Sequence, residues 1–223
     1  MDTHTMLAYK IMRSRHYEPG KSFMTTAVNY GNRMLASKAT NDLIRTTIDT
    51  SKRYGIPIQP IILMCVDFQS GSHQPRIPRL IASPRVRELK SLATNAHPIT
   101  DGIFSASFWE YLYEHVRSAD RPACPSRIES YFASKDLTSL ARYRDNHWHD
   151  KMGDKTACQI NIEACQVAFE ADMVVLDRVT EEMDFESARA HILKYWDQEM
   201  SDEPNIELLL QGTIVLGDKV QLN

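Results

Sequence analysis

The sequence predicts an α+β fold with a mainly antiparallel sheet, in a single domain that spans residues 1–223. Strand patterns lie near both ends of the chain, helical patterns lie between them, and strands and helices do not alternate regularly. With 43% hydrophobic and 25% charged residues, a chain of 223 residues is long enough and apolar enough to bury one main core.

The first third of the chain predicts a strand, a helix and a second strand. Leu7–Arg13 alternates apolar and polar residues as a strand does. The apolar residues of 35–54 fall at helical spacing, and Gly55 followed by Pro57 ends that helix. Residues 58–68 form a short apolar run rich in β-branched residues, so we expect a buried strand there.

Residues 69–101 are predicted to be an insertion or a lid, because prolines interrupt any regular pattern. One short helix is expected inside it, at 84–92. Its basic side chains offer contacts to the phosphates of a nucleic acid, although interleaved aromatic residues are missing. These side chains are Arg76, Arg79, Arg85, Arg87 and Lys90.

The middle of the chain predicts two helices with a strand between them. Residues 108–117 repeat aromatic and aliphatic residues at the spacing of an amphipathic helix. Residues 124–133 are a candidate strand. Asp136 is placed to cap a helix over 137–148.

The last third is the richest in strand patterns. Residues 157–177 alternate well and are predicted to be strand to their end. Asp184 is placed to cap a helix at 185–196, and a final strand pair is expected at 206–210 and 213–220.

Composition excludes several classes of protein. The net charge of −3 and the pI near 6.2 give no global field that would attract nucleic acid or an anionic membrane. No apolar run approaches the roughly 20 residues that span a bilayer, and the start does not resemble a signal peptide. We therefore expect a cytoplasmic protein without a membrane partner and with reduced cysteines. The cysteines are Cys65, Cys124, Cys158 and Cys165.

Motif searches exclude the common catalytic and metal-binding patterns. The sequence has no glycine-rich phosphate loop and no Gly-x-Ser-x-Gly elbow. The late histidines and cysteines lack the spacing of zinc ligands, so no metal site is predicted. These residues are His147, His149, Cys158 and Cys165.

A dispersed set of polar residues remains. Arg13 and Ser14 follow the first strand, Ser126 and Arg127 precede the middle one, and Glu207 opens the penultimate one. Taken singly, such residues are most often surface or edge residues.

Several longer stretches carry a resemblance to a known family. They are FWEYLYEHVR leading into PSRIESYFA, the helix SLARYRDNHW, the strand pair ending FEADMVVLD, the KYW that precedes NIELLLQGTIVL, and the N-terminal YKIMRSR. This set resembles a poorly characterised group of bacterial and phage proteins with an ADP-ribosyltransferase-like fold. The resemblance covers about two-thirds of the chain.

The resemblance implies two small, mainly antiparallel sheets that form a cleft flanked by helices. It implies an NAD-dependent ADP-ribosyltransferase, a glycosyltransferase of the toxin or effector type, which uses NAD as substrate and breaks its nicotinamide–ribose bond. Glu207 matches the catalytic glutamate, whose carboxylate faces an oxocarbenium-like transition state. The residues implied to bind NAD are Arg13, Ser14, Ser126, Arg127 and Tyr131.

Two features keep alternatives open. No Glu-x-Glu pair precedes the final strand, since Asn205 and Ile206 come before Glu207, so the acceptor of ADP-ribose stays undefined. The fold also occurs without activity. The alternative is therefore a non-enzymatic phage or mobile-element protein that binds a host protein or nucleic acid.

Overall fold

The structure, a computed structural model, describes residues 7–28, 37–71, 77–81, 83–99, 102–148 and 152–222. The strands in this part are β1 (Leu7–Arg13), β2 (Ser22–Met24), β3 (Tyr131–Ser134), β4 (Lys155–Asn161), β5 (Cys165–Asp172) and β6 (Ile206–Lys219). The α-helices are α1 (Lys38–Tyr54), α2 (Ile58–Gln69), α3 (Pro84–Asn95), α4 (Gly102–Asp120), α5 (Leu137–Trp148), α6 (Met173–Leu176) and α7 (Phe185–Trp196).

The chain divides into two compact units. The barrel unit comprises the described parts of Met1–Tyr30, Pro122–Leu176 and Tyr195–Asn223. The helical unit comprises the described parts of Gly31–Arg121 and Asp177–Lys194. One domain over 1–223 with an insertion or lid at 69–101 stays a prediction. The described part of that segment contributes α3 to the helical unit.

β6 is the centre of the barrel unit. Its first half pairs with β3 and β5, and its second half pairs with β2 and β4. β1 pairs with both β3 and β4, so that β1, β3, β6 and β4 close into a small barrel. Every pairing is antiparallel, which confirms the α+β class with an antiparallel sheet. The six described strands join one sheet, however, where two small sheets were expected.

Gly212 explains why β6 is one strand of 14 residues instead of the predicted strand pair. Its φ of +134° is a conformation that residues with a side chain rarely adopt. A Cβ at this position would lie 2.8 Å from Cα of Cys165 and 2.9 Å from the carbonyl oxygen of Ala164. The glycine therefore allows the backbone of β6 to approach the turn between β4 and β5 closely. The chain continues as one strand at this point and does not form a hairpin turn.

Alternation along the strands gives the sheet two different faces. One face forms the apolar core of the barrel, with Tyr17, Phe23 and Tyr131 packed against it. The buried residues of this core are Ala8, Ala133, Cys158, Ile160, Ile162, Leu208, Leu210, Ile214 and Leu216. On the opposite face, Leu140 of α5 packs on Ile11 and Ala157. We call this opposite face the outer face.

Several helix ends match the sequence prediction, although α4 runs from Gly102 to Asp120, beyond the predicted 108–117. Ser37 caps α1, and Gly55 ends it with a φ of 57°. Asp136 accepts a hydrogen bond of 2.7 Å from the Ser139 N–H at the start of α5. Asp184 accepts one of 2.8 Å from the Ser187 N–H at the start of α7. The predicted end at Gly55, the predicted caps at Asp136 and Asp184 and the helix predicted at 84–92 are confirmed, whereas the Ser37 cap was not predicted.

The strand predicted at 58–68 is wrong, because these residues form α2. Pro60 is the third residue of this helix, where a missing N–H costs no intrahelical hydrogen bond. The N–H groups of Ile58 and Gln59 bond instead to the carbonyl oxygens of Met183 and Glu181, at 3.0 and 2.8 Å. An apolar run without a clear period did not distinguish a buried helix from a strand.

Two further strand boundaries differ from the prediction. The strand expected at 124–133 is limited to β3, because the Ser130 N–H bonds to the Arg127 carbonyl oxygen at 3.2 Å and forms a turn. The strand expected to continue to 177 ends at Asp172. Its carboxylate accepts a hydrogen bond of 2.9 Å from the Val174 N–H, which starts the short helix α6.

Candidate functional site

Glu207 lies near the start of β6, on the outer face of the sheet. Strand register places it opposite Ser134 of β3 and opposite Ala171 of β5. Directly opposed residues of antiparallel strands point to the same face, so two small side chains flank the glutamate. The next row on this face is large and apolar, with Leu209 between Phe132 and Phe169.

Arg127 and Tyr195 both bind one oxygen of the Glu207 carboxylate. Nη1 of Arg127 donates to Oε1 at 2.5 Å, and the Tyr195 hydroxyl donates to the same oxygen at 2.9 Å. Arg127 Nη1 also donates to the Tyr195 hydroxyl oxygen. The three polar groups therefore form a closed triangle, which we call the Glu207 cluster (Arg127, Tyr195 and Glu207).

Aromatic rings hold this cluster in place. The Arg127 guanidinium lies 4.8 Å from the centre of the Phe132 ring and 5.2 Å from the centre of the Tyr195 ring. The centre of the Tyr195 ring lies 4.9 Å from the centre of the Trp196 ring and 6.4 Å from the centre of the Phe169 ring. Stacking on two rings suits a planar guanidinium and limits its movement.

The Glu207 cluster is almost completely buried. Glu207 and Arg127 are each 6% exposed, so their opposite charges are paired away from bulk water. Burial of two charges is costly unless the pair is well hydrogen-bonded, and breaking one partner of such a pair typically costs about 3–5 kcal/mol. The cluster is therefore a strong local constraint on the fold.

The second carboxylate oxygen of Glu207, Oε2, differs from Oε1 in its hydrogen bonding. Both described hydrogen bonds of the side chain end on Oε1, and Oε2 has no hydrogen-bond partner within the described part of the chain. A carboxylate oxygen can accept about two hydrogen bonds. Oε2 is thus an acceptor that the described residues leave unused in an otherwise satisfied cluster.

Asp172 anchors the chain just before Glu207. This fully buried carboxylate accepts hydrogen bonds from the N–H groups of Val174 and Asn205, both at 2.9 Å. It also accepts from the N–H and the hydroxyl of Ser201, at 2.8 and 2.6 Å. Burial by itself raises the pKa of Asp172, but these hydrogen bonds outweigh burial and hold the pKa below its ordinary value.

Arg13 ends β1 at a different part of the outer face, and Ser14 follows it in a short 3-10 turn. Tyr9 of β1 is opposite Ser134, which is opposite Glu207. Arg13 is four residues further along β1, so strand spacing puts it roughly 16 Å from Glu207. The Ser14 hydroxyl shares a hydrogen bond of 2.8 Å with that of Thr156. The structure does not bring these two predicted residues to the Glu207 cluster.

Ser126 and Tyr131 flank Arg127 in sequence but have other surroundings. Ser126 organises the turn before β3, where its hydroxyl accepts from the Glu129 N–H at 3.4 Å and its carbonyl from the Ser130 hydroxyl at 2.7 Å. Tyr131 packs on the barrel core, with its ring 5.6 Å from that of Phe23. Tyr131 is therefore on the opposite face of the sheet from Glu207.

The predicted nucleic-acid contacts belong to the helical unit. Arg79 lies in a short 3-10 turn, and Arg85 forms an ion pair of 2.7 Å with Glu88 on α3. Arg87 and Lys90 lie on the same helix, while Arg76 is outside the described residues. A cavity of about 380 Å³ lies beside this helix. Its lining residues are Asp42, Arg45, Thr46, Glu88, Ser91 and Leu92.

Two of the cysteines, Cys65 and Cys158, are not activated as nucleophiles. All four are free thiols, and burial raises the pKa of Cys65 to about 12 and that of Cys158 to about 11. The thiolate is the reactive form, so these two thiols are inert near neutral pH. Among the described residues, no three of His, Cys, Asp and Glu are grouped as metal ligands, and no helix is long and apolar enough to cross a membrane.

Sequence reasoning missed Tyr195 and Phe132. Tyr195 is the middle residue of the KYW stretch quoted for the resemblance, but nothing in its spacing indicates that it meets a residue 12 positions later. Arg127 and Glu207 were both selected, yet as separate contacts rather than as a pair. An arginine and a glutamate 80 positions apart carry no sequence signal of their contact.

Comparison with known families places the chain in one of them. The described chain is an α+β protein with an antiparallel sheet and a buried Arg–Tyr–Glu cluster. Residues 89–221 match the family described as "Protein of unknown function (DUF2441)", and the chain belongs to this family. The match includes Arg127, Tyr195 and Glu207, whereas Arg13 and Ser14 precede it. Comparison with the curated proteins finds no match.

Proposed function

We propose that this protein is an NAD-dependent ADP-ribosyltransferase of the toxin or effector type, in which Glu207 is the catalytic residue. The observation that carries the proposal is the state of the Glu207 carboxylate. One oxygen is fixed by Arg127 and Tyr195, and the other has no hydrogen-bond partner within the described residues. A carboxylate held in this way is able to act on a ligand without first losing its own contacts.

The chemistry of the proposed reaction needs such a group. Cleavage of the nicotinamide–ribose bond develops positive charge on the ribose, and a fixed carboxylate in a water-poor site stabilises that charge. The two residues opposite Glu207 in the sheet, Ser134 and Ala171, both have small side chains. The observed α+β class is compatible with the ADP-ribosyltransferase-like fold, which remains part of the proposal together with its two-sheet cleft.

The proposed NAD contacts have unequal support. Arg127 supports the proposal most, because it contacts the Glu207 carboxylate directly. Arg13, Ser14 and Ser126 are further contacts that the resemblance implies, as is Tyr131. An NAD molecule that reached Arg13 as well as Glu207 would have to extend across roughly 16 Å of sheet.

The proposal is tested with Glu207→Gln. Purified protein is incubated with NAD and cell lysate, and nicotinamide release and label transfer from the adenylate part are both followed. We expect turnover in the wild type and a loss of at least about 100-fold in the variant, because charge stabilisation in the transition state is removed. Glu170→Gln is the matched control, since Glu170 is on the adjacent strand β5 and pairs with Lys135 on the surface.

The folding of the variant needs its own control, because Glu207→Gln removes the charge that neutralises Arg127. A double variant with Arg127→Met and Glu207→Leu replaces the buried pair with apolar groups, which proteins often tolerate. We expect the double variant to retain the circular dichroism of the wild type and to lack turnover. A wild type without turnover, whose melting temperature NAD leaves unchanged, would contradict the proposal.

One observation favours a second candidate, a non-enzymatic protein that binds a host protein or nucleic acid. The near-complete burial of Arg127 and Glu207 is also typical of an ion pair that only stabilises the fold. In that case binding involves the basic residues of the helical unit. Charge reversal at Arg85 and Arg87 would then weaken binding of the partner, and Glu207→Gln would not affect it beyond its effect on folding.

A further inference from the structure

Tyr195 has a place in the Glu207 cluster that neither sequence reasoning nor family membership assigns. It is the penultimate residue of α7, and its side chain is fully buried. Its hydroxyl accepts a hydrogen bond from Arg127 and donates one to Oε1 of Glu207. Contacts with the Phe169 and Trp196 rings fix the position of the phenol.

The Tyr195 hydroxyl helps to determine which oxygen of the Glu207 carboxylate is available to a ligand. The last torsion of a glutamate side chain is broad and nearly two-fold, so an unrestrained carboxylate presents either oxygen in several directions. Two donors that converge on Oε1 remove this freedom and leave Oε2 in one orientation. Arg127 alone would not do so, because a guanidinium also binds a carboxylate through both oxygens at once.

We propose that Tyr195 is a positioning residue, which holds Glu207 so that Oε2 faces the ligand and prevents Arg127 from binding both oxygens. This inference rests on the proposed transferase function. It assigns to Tyr195 no contact with substrate and no proton transfer. Its role is to preserve the orientation of the carboxylate in the transition state.

Tyr195→Phe tests this role, because it removes the hydroxyl and keeps the ring. Tyr17→Phe is the matched control, since the Tyr17 hydroxyl donates a hydrogen bond of 3.0 Å to the Gly217 carbonyl oxygen in the same unit. For Tyr195→Phe we expect kcat of nicotinamide release to fall about tenfold, with KM for NAD within about twofold. For Tyr17→Phe we expect both constants to remain within about twofold of the wild type.

A spectroscopic measurement gives a readout that does not depend on turnover. In protein labelled with ¹³C at the glutamate carboxyl carbons, the Glu207 resonance is assigned by its absence from Glu207→Gln. We expect this resonance to shift in Tyr195→Phe and to stay in place in Tyr17→Phe. Replacement of Tyr195 by 3-fluorotyrosine retains the donor, so it should preserve kcat and provides a second variant if the phenylalanine variant fails to fold.

The outcomes separate this inference from the proposed function. An active wild type together with an equally active Tyr195→Phe variant overturns the positioning role and leaves the transferase proposal intact. An unmoved Glu207 resonance in that variant also overturns it. A wild type without nicotinamide release overturns the proposed function itself, and the role of Tyr195 in it, even when the resonance shifts.

Discussion

Asp172→Asn is expected to destabilise the barrel unit strongly, although it replaces only one oxygen by an amide. The buried carboxylate accepts four hydrogen bonds, two on each oxygen. Asparagine keeps one acceptor oxygen and places an NH₂ group against the donors at the other position. Two hydrogen bonds to a charged acceptor are lost, at about 1.5 kcal/mol each, so the expected loss is about 3 kcal/mol.

The loss depends on pH in a defined direction. Because the folded-state pKa of Asp172 lies below its ordinary value, ionised Asp172 stabilises the folded state at pH values above about 3.9. This contribution is lost as the pH falls through the lowered folded pKa. The difference between wild type and Asp172→Asn is therefore expected to be largest near pH 7 and to shrink below about pH 4.

Urea unfolding at a series of pH values measures this difference, and hydrogen exchange locates it. The amides of Ser201 and Asn205 donate to Asp172, so their exchange should accelerate in the variant. Asp136→Asn is the control, because the exposed Asp136 side chain accepts one capping bond and asparagine caps equally well. A loss below about 1 kcal/mol at pH 7, or one that does not depend on pH, would refute the reasoning.

The remaining predictions concern backbone strain and thiol reactivity. Gly212→Ala should destabilise the barrel unit by at least about 2 kcal/mol, because its Cβ would meet the backbone of Cys165 at 2.8 Å. Gly153→Ala, with a φ of 53° and no atom within 4 Å, should cost about 1 kcal/mol in the same urea assay; equal losses would contradict the steric argument. In a thiol titration at pH 8, Cys65 and Cys158 should not react until the protein is denatured, because their pKa values are near 12 and 11. Rapid reaction of more than two thiols in the native protein would show that these two are not protected.

Helix ends were predictable from the sequence because their signals are local. Asp136 and Asp184 each act within three residues, and Gly55 ends α1 through its own left-handed conformation. The strand Leu7–Arg13 was also predictable from its alternation of apolar and polar residues, although both of its faces bury a residue, Ala8 in the barrel core and Ile11 under α5.

The elements that the sequence did not predict depend on distant partners. α2 was expected to be a strand. Its first two N–H groups donate to the backbone carbonyl oxygens of Met183 and Glu181, which are more than 120 residues away in sequence. A break between two strands was predicted at 211–212, and only the approach of Cys165 shows why the glycine at 212 is needed inside a continuous strand. Such contacts form between segments whose spacing in sequence carries no period.

The candidate site was predictable in part. Glu207 and Arg127 were selected through a resemblance, but their contact across 80 positions and the bridging role of Tyr195 required the structure. The register of β1, β3 and β6 then separated Arg13 from this cluster, and strand alternation placed Tyr131 on the other face.

Nicotinamide release from NAD by the wild type, by Glu207→Gln and by Glu170→Gln tests the central claim most directly. We expect release by the wild type and by Glu170→Gln, and a loss of at least about 100-fold in a folded Glu207→Gln variant. Release that persists in Glu207→Gln, or its absence from the wild type with a melting temperature that NAD does not change, would contradict the account.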